Sequence, residues 1–316
     1  MKKRIIFDTS IASHNMGDNI IMHYMYNMMN ELFPDDCFVK LATHEYMGKS
    51  SRKLYRDSDF SLVGGTNLLT SKMIYNPQWK LNIIDMLYLR EVVLVGVGWS
   101  QYDKDASFYT KRMLNSVLSK RYSMSVRDSY TKEKLLNAGI SNVINTSCIT
   151  TWNLTPAFCK MINRAKSDNV ITTVTNYRKN IQKDKFMLDT LRKNYENVYL
   201  WIQSISDYDY LKSFYDLSNI IIIPPNLNSF ELMLEVDNID YIGTRLHAGI
   251  HALNHGIRSL IIGVDNRALE IARDINLPVI NRNDIEENFD NYIFSFSDMD
   301  IQIPVENINK WKNQFK

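Results

Sequence analysis

The stretch Asp240-Tyr-Ile-Gly-Thr-Arg-Leu-His-Ala-Gly-Ile-His-Ala-Leu-Asn-His-Gly256 decides how this chain folds. An apolar run ends in Gly243-Thr244, and Arg245 and His247 then stand at the start of a helical pattern. A second apolar run, Leu260-Ile-Ile-Gly-Val-Asp265, follows and opens another helix near Asn266-Arg267. Strand, helix, strand and helix at this spacing predict neighbouring parallel strands. A guanidinium, an imidazole and free helix N–H groups then share the carboxyl edge of the sheet. Open α/β sheets bind ligands at that edge, and helix N-termini favour anions. The stretch therefore predicts an anion-handling enzyme.

The same alternation runs outward in both directions. Strands are predicted at residues 4–7, 37–41, 60–63, 92–97, 123–126 and 142–145, with helices at 19–32, 74–89, 107–118 and 129–138, the last closed by Gly139. After the polar stretch Asn163-Arg-Ala-Lys-Ser-Asp-Asn169 the pattern restarts, with strands at 170–175, 198–202, 219–223, 239–242 and 260–264. Domains usually run about 100–200 residues, so 316 residues suit two of them. The expectation is two Rossmann-like domains with parallel sheets, residues 1–160 and 168–302, divided near 155–168. Residues 303–316 read as a terminal helix returning to the first domain.

Composition narrows the function. A net charge of +2 gives no bulk electrostatic case for nucleic acid. Cys37, Cys148 and Cys159 are odd in number and lack C-x-x-C spacing, which fits a reducing compartment and gives no zinc site. The apolar run Ile5-Ile-Phe is broken by Asp8, too short for a signal peptide or membrane span. A cytoplasmic location is expected, with surface attachment to a membrane left open.

Several strand ends carry candidate ligand loops. Asn15-Met-Gly17-Asp18-Asn19 precedes a helix that Asp18 or Asn19 would cap, and its N-terminus would face an anion. Val63-Gly64-Gly65-Thr66-Asn67 repeats the arrangement, its glycines allowing close backbone approach. Gly96-Val-Gly98-Trp99 lacks the third glycine of a dinucleotide fingerprint, and no phosphate-loop signature occurs. Trp99 is read either as a sugar-stacking platform or as a structural aromatic. In Ser125-Val-Arg127-Asp128-Ser129, Arg127 either clamps an anion or pairs with Asp128. His247, His251 and His255 recur at helical spacing, but Ala-Gly-Ile and Ala-Leu-Asn separate them, without the Glu of a zincin motif. No metal is expected there, and His251 and His255 read as packing or surface residues.

In order along most of the chain, Asn15-x-Gly17-Asp18, Gly64-Gly65, Gly96-x-Gly98, Arg127-Asp128-Ser129, Gly243-Thr-Arg245-Leu-His247-Ala248 and Gly256 resemble the polysaccharide pyruvyltransferase family. Thr66 stands where a third glycine is common, and Asn145-Thr-Ser-Cys148-Ile-Thr-Thr lacks an Asp often found near there. The resemblance implies a GT-B-like fold with its active site in the interdomain cleft. It implies pyruvate transfer from phosphoenolpyruvate to sugar hydroxyls, usually as a cyclic ketal. The family's important Arg, His and second Arg fall on Arg127, His247 and Arg267.

On that basis His247 is expected to act as general acid or base, and Arg127, Arg245 and Arg267 to bind the anionic donor. Arg245 is alternatively a loop-holding salt bridge. Asn15, Gly17, Asp18, Gly64, Gly65, Thr66 and Asn67 are expected to contact acceptor or phosphate. Expected partners are phosphoenolpyruvate as co-substrate, with no cofactor, and a glycan or lipid-linked oligosaccharide precursor. Peripheral contact, at the inner face of a membrane, is left open. The alternatives are a glycosyltransferase with a nucleotide-sugar donor and a non-catalytic glycan-binding relative.

Overall fold

Central strands buried on both faces are the framework of this chain. The computed structural model describes residues 1–56, 58–295 and 300–316. In chain order the first elements are β1 (Lys3–Asp8), α1 (Met16–Leu32), β2 (Cys37–Ala42), α2 (Lys49–Arg56), β3 (Ser61–Gly64), α3 (Asp85–Tyr88) and β4 (Val92–Val95). Next come α4 (Phe108–Val117), β5 (Met124–Val126), α5 (Ser129–Asn137), β6 (Val143–Asn145) and α6 (Pro156–Cys159). The second series is β7 (Asn169–Thr172), α7 (Ile181–Asn194), β8 (Asn197–Trp201), α8 (Ile205–Lys212), β9 (Ile221–Ile223), α9 (Leu227–Leu234), β10 (Ile239–Gly243) and α10 (Leu246–Asn254). It closes with β11 (Ser259–Gly263), α11 (Asn266–Ile275), β12 (Val279–Asn281) and α12 (Ile285–Phe294), before the terminal α13 (Val305–Asn313).

The chain divides into two compact units. One comprises Met1–Ser13, Ile21–Trp152 and Ile303–Lys316; the other comprises His14–Ile20 and Asn153–Gln302. The division at Trp152 lies just before the expected 155–168, and each unit is discontinuous in sequence.

The first unit has a parallel sheet ordered β2-β1-β3-β4 and a parallel pair β5-β6. Its terminal α13 is held by Trp311, whose Nε1 donates to the Ser123 carbonyl at 2.8 Å, and by Phe315, stacked on Phe60 and Tyr122. The helix expected over 74–89 is overturned. Only α3 forms, because Pro77 lacks an N–H and pushes Asn76 out of the α region. The segment is pinned instead by buried Trp79 and Leu81. The helix α2 and the strand β12 were not anticipated.

The second unit is a six-stranded parallel sheet, β12-β11-β10-β7-β8-β9. Central β10 and β11 are buried along their whole length, as parallel strands covered on both faces must be. From β7 the chain winds outward through β8 and β9, then returns to β10 on the other side of β7. That reversal between β7 and β10 is the switch point where such sheets open a ligand crevice beyond the strand carboxyl ends. Among the described residues no helix is long and apolar enough to cross a membrane.

Candidate functional site

The crevice beyond β7 and β10 holds the predicted residues of the second unit. A Cβ on Gly243 would lie 2.5–2.9 Å from the Thr173 Oγ1, N and O atoms, so only glycine lets the two strand ends come this close. The Thr173 hydroxyl bonds the Tyr241 hydroxyl and accepts from the Arg245 N–H, while Thr244 N donates to the Thr173 carbonyl. These bonds set Arg245 at the N-cap of α10 and His247, buried, in its first turn. A helix N-terminus with His247 in it is suited to stabilising an anion and exchanging a proton with it.

Arg245 forms a two-point ion pair with Asp207 of α8, with Nη2–Oδ1 at 2.6 Å and Nη2–Oδ2 at 2.5 Å. Burial pushes the Asp207 carboxyl above its ordinary value, and the Arg245 charge and hydrogen bonds pull against it. The salt bridge foreseen as an alternative for Arg245 is therefore present. Its Nη1 also reaches the Asn15 side-chain oxygen at 3.4 Å, which brings a residue 230 positions away into the site. Asn15 accepts from the Gly17 N–H at 3.1 Å, so Asn15 caps α1, rather than Asp18 or Asn19.

Arg267 sits in the first turn of α11. Its Nε and Nη2 donate to Asp265 at 2.8 and 2.6 Å, and Nη2 donates to the Tyr177 hydroxyl. Burial alone lowers the pKa of this guanidinium, but Tyr177 and the Asp265 and Asp18 carboxylates more than offset it and hold the charge. Tyr177, just beyond β7, is close to both cations: Arg245 is 5.0 Å and Arg267 4.9 Å from its ring centroid. Asn15, Gly17, Asp18, Arg245, His247 and Arg267 thus belong to one unit. Sequence reading missed Asp207 and Tyr177. Their signal was position, each following a strand of the same sheet at its carboxyl end.

Gly64, Gly65, Thr66, Asn67 and Arg127 belong to the first unit. Arg127 is buried, with Nη1 donating to Asn67 Oδ1 at 2.8 Å and Nε to Asp128 Oδ2 at 3.1 Å. Its guanidinium lies flat on Gly98, where a Cβ would fall 2.2 Å from the guanidinium carbon. Among the described residues its Nη2 has no hydrogen-bond partner. Asp128 caps α5 by accepting from Thr131 N at 2.7 Å. Trp99 is fully buried, which removes the sugar-stacking alternative and leaves the structural one. His251 is buried 3.5 Å from Glu231, and His255 Nδ1 bonds the His251 carbonyl, so both serve α10 packing.

Two α/β units with parallel sheets define a GT-B-like fold. The chain belongs to the polysaccharide pyruvyl transferase family, whose model matches residues 15–266, and so to transferases of polysaccharide biosynthesis. Arg267 falls one residue past that match. Among solved structures, it is similar to Methanocaldococcus jannaschii UDP-GlcNAc 2-epimerase in complex with UDP-GlcNAc and UDP. That likeness has 13% identity and a TM-score of 0.58, covering 100% of this chain and 98% of that one. A co-structure of S. aureus MnaA with UDP is similar at 11% identity and TM-score 0.56, covering 96% and 92%. At such identities the likeness concerns the fold alone. No curated protein matches the chain by sequence.

Proposed function

We propose that the chain transfers pyruvate from phosphoenolpyruvate to two hydroxyls of a glycan or lipid-linked oligosaccharide precursor in the cytoplasm, forming a pyruvate ketal and releasing phosphate. The observation carrying this reading is that Arg245 and Arg267 both pack on the Tyr177 ring, with His247 in the first turn of the helix that Arg245 caps. Phosphoenolpyruvate carries a carboxylate and a phosphate, and two fixed guanidiniums match two anionic groups.

In this mechanism a proton adds to the methylene carbon, and a sugar hydroxyl attacks the neighbouring carbon, losing its own proton. The C–O bond to phosphate then breaks and a second hydroxyl closes the ketal, releasing a second proton. His247 is assigned to a proton transfer as general acid or base. Arg245 and Arg267 bind the donor, with Asp207 and Asp265 holding them in place. Asn15, Gly17 and Asp18 line the donor crevice. Arg127 and the loop Gly64, Gly65, Thr66 and Asn67 are assigned substrate contacts in the first unit. The reading requires no metal or cofactor beyond the co-substrate.

The test is phosphate release from phosphoenolpyruvate with a panel of glycan and lipid-linked acceptors, with product mass read in parallel. The expected result is acceptor-dependent release with a pyruvyl adduct, reduced on the order of 10²–10⁴-fold in His247→Ala. A folded His247→Ala protein with full turnover removes the assignment of that residue.

A further inference from the structure

We propose that the face of the first unit built from α2, α3 and α4 is a docking surface for an anionic lipid bilayer. Ile83, Met86 and Leu87 on one side and Phe108, Lys111 and Arg112 on the other line a groove of about 690 Å³. Its apolar side chains point to solvent: Phe108 is 81% exposed, Leu87 69% and Ile83 65%. Ile84, Tyr88 and, on α2, Leu54 are exposed as well. Scattered exposed leucines are ordinary, but a contiguous apolar set on neighbouring elements marks an interaction surface.

The charge around the groove selects the partner. Lys111 and Arg112 line it, and among its described lining residues there is no carboxylate. The adjoining α2 exposes Lys49, Lys53 and Arg56. The one carboxylate of α3, Asp85, is fully buried and neutralised by Arg52, with Nη2–Oδ1 at 2.8 Å. The same Arg52 ties α2 to α3. Apolar side chains flanked by cations fit a bilayer whose acyl region receives the former and whose anionic headgroups meet the latter. A second copy of the chain fits less well, because a two-fold contact on this face sets Lys111 and Arg112 against their own like charges. The surface stands on the first unit alone and does not depend on which donor the second unit binds.

The experiment is co-sedimentation of the full chain with phosphatidylcholine vesicles, with and without phosphatidylglycerol. Two variants are compared, the pair Leu87→Asp with Phe108→Asp and the pair Lys111→Gln with Arg112→Gln. All four positions are surface-facing, so circular dichroism and melting temperature stay at wild-type values. The wild type is expected to sediment with phosphatidylglycerol vesicles and to be released by salt. The apolar pair loses at least about tenfold in partition, and the charge pair loses on the order of twenty-fold on anionic vesicles only. Wild-type protein staying in the supernatant with both vesicle types overturns the proposal, as does binding that neither variant weakens. Self-association in sedimentation velocity that Leu87→Asp with Phe108→Asp abolishes, without vesicle binding, assigns the face to a second copy instead.

Discussion

At the scale of single residues the site depends on carboxylates that its cations require. Arg245 and Asp207 are both buried, so each relies on the other to offset lost hydration. Removing one partner of such a pair costs about 3–5 kcal/mol, because a charge is left uncompensated in a poorly solvated place. Asp207→Ala is therefore expected to lower the urea midpoint of the full chain and to release the Arg245 side chain from its crevice position. Exposed ion pairs offer the contrast: Lys185–Asp189, about half exposed on both sides, is worth only about 0–1 kcal/mol, and Lys185→Ala, which leaves the Tyr215–Asp189 hydrogen bond in place, should leave the midpoint almost unmoved. Equal midpoints for the two alanine variants contradict this account of Arg245. The titratable and cationic members of the site were legible in the sequence because Arg245, His247 and Arg267 follow strand ends directly. Asp207 was harder to read, since only its place after β8 distinguishes it from a solvated helix acid, and the fold alone brings it to Arg245, 38 residues away.

At the scale of elements, legibility tracked burial. Strands such as β10 and β11 read as continuous apolar runs because helices cover both faces, and a run of that kind has few alternative conformations. The three-residue strand β12, entered from Pro278, is too short to carry a period, and its identity comes from pairing with β11. Over 74–89 the helical spacing of apolar residues is overruled by Pro77, because proline acts on backbone geometry whatever its neighbours' hydropathy. The contact of β7 with β10 yields a prediction at this scale. In Gly243→Ala the added carbon would meet the backbone N and O of Thr173 as well as its Oγ1, so a side-chain rotation alone cannot relieve the clash and the strand ends must part. The expected cost is about 1–3 kcal/mol, together with loss of donor binding as α10 shifts its first turn. Thermal melts and phosphoenolpyruvate titration check it; an alanine protein with wild-type melting and affinity shows that the close approach at Gly243 is not required.

For the whole molecule, the alternation of strand and helix announced two α/β units, yet not how the chain is shared between them. His14–Ile20 clusters with residues 153–302 and Ile303–Lys316 with the first unit, although no local pattern marks either segment as belonging elsewhere. The consequence for the site is that Asn15, contributed by a segment far away in sequence, contacts Arg245. Ligand binding should therefore stabilise a unit assembled from both ends of the sequence. On the proposed function, phosphoenolpyruvate at about a hundred times its dissociation constant is expected to add about 2.7 kcal/mol to folded-state stability. The melting temperature of the full chain is expected to rise with phosphoenolpyruvate concentration. Arg267→Ala should shift that response to higher concentration, since one of two anion partners is gone, while leaving the melt without ligand little changed relative to Asp207→Ala. Inorganic phosphate, carrying one of the two anionic groups, should stabilise less at equal concentration. Stabilisation by a nucleoside diphosphate, with none by phosphoenolpyruvate, would instead assign Arg245 and Arg267 to a diphosphate and make the chain a nucleotide-sugar enzyme.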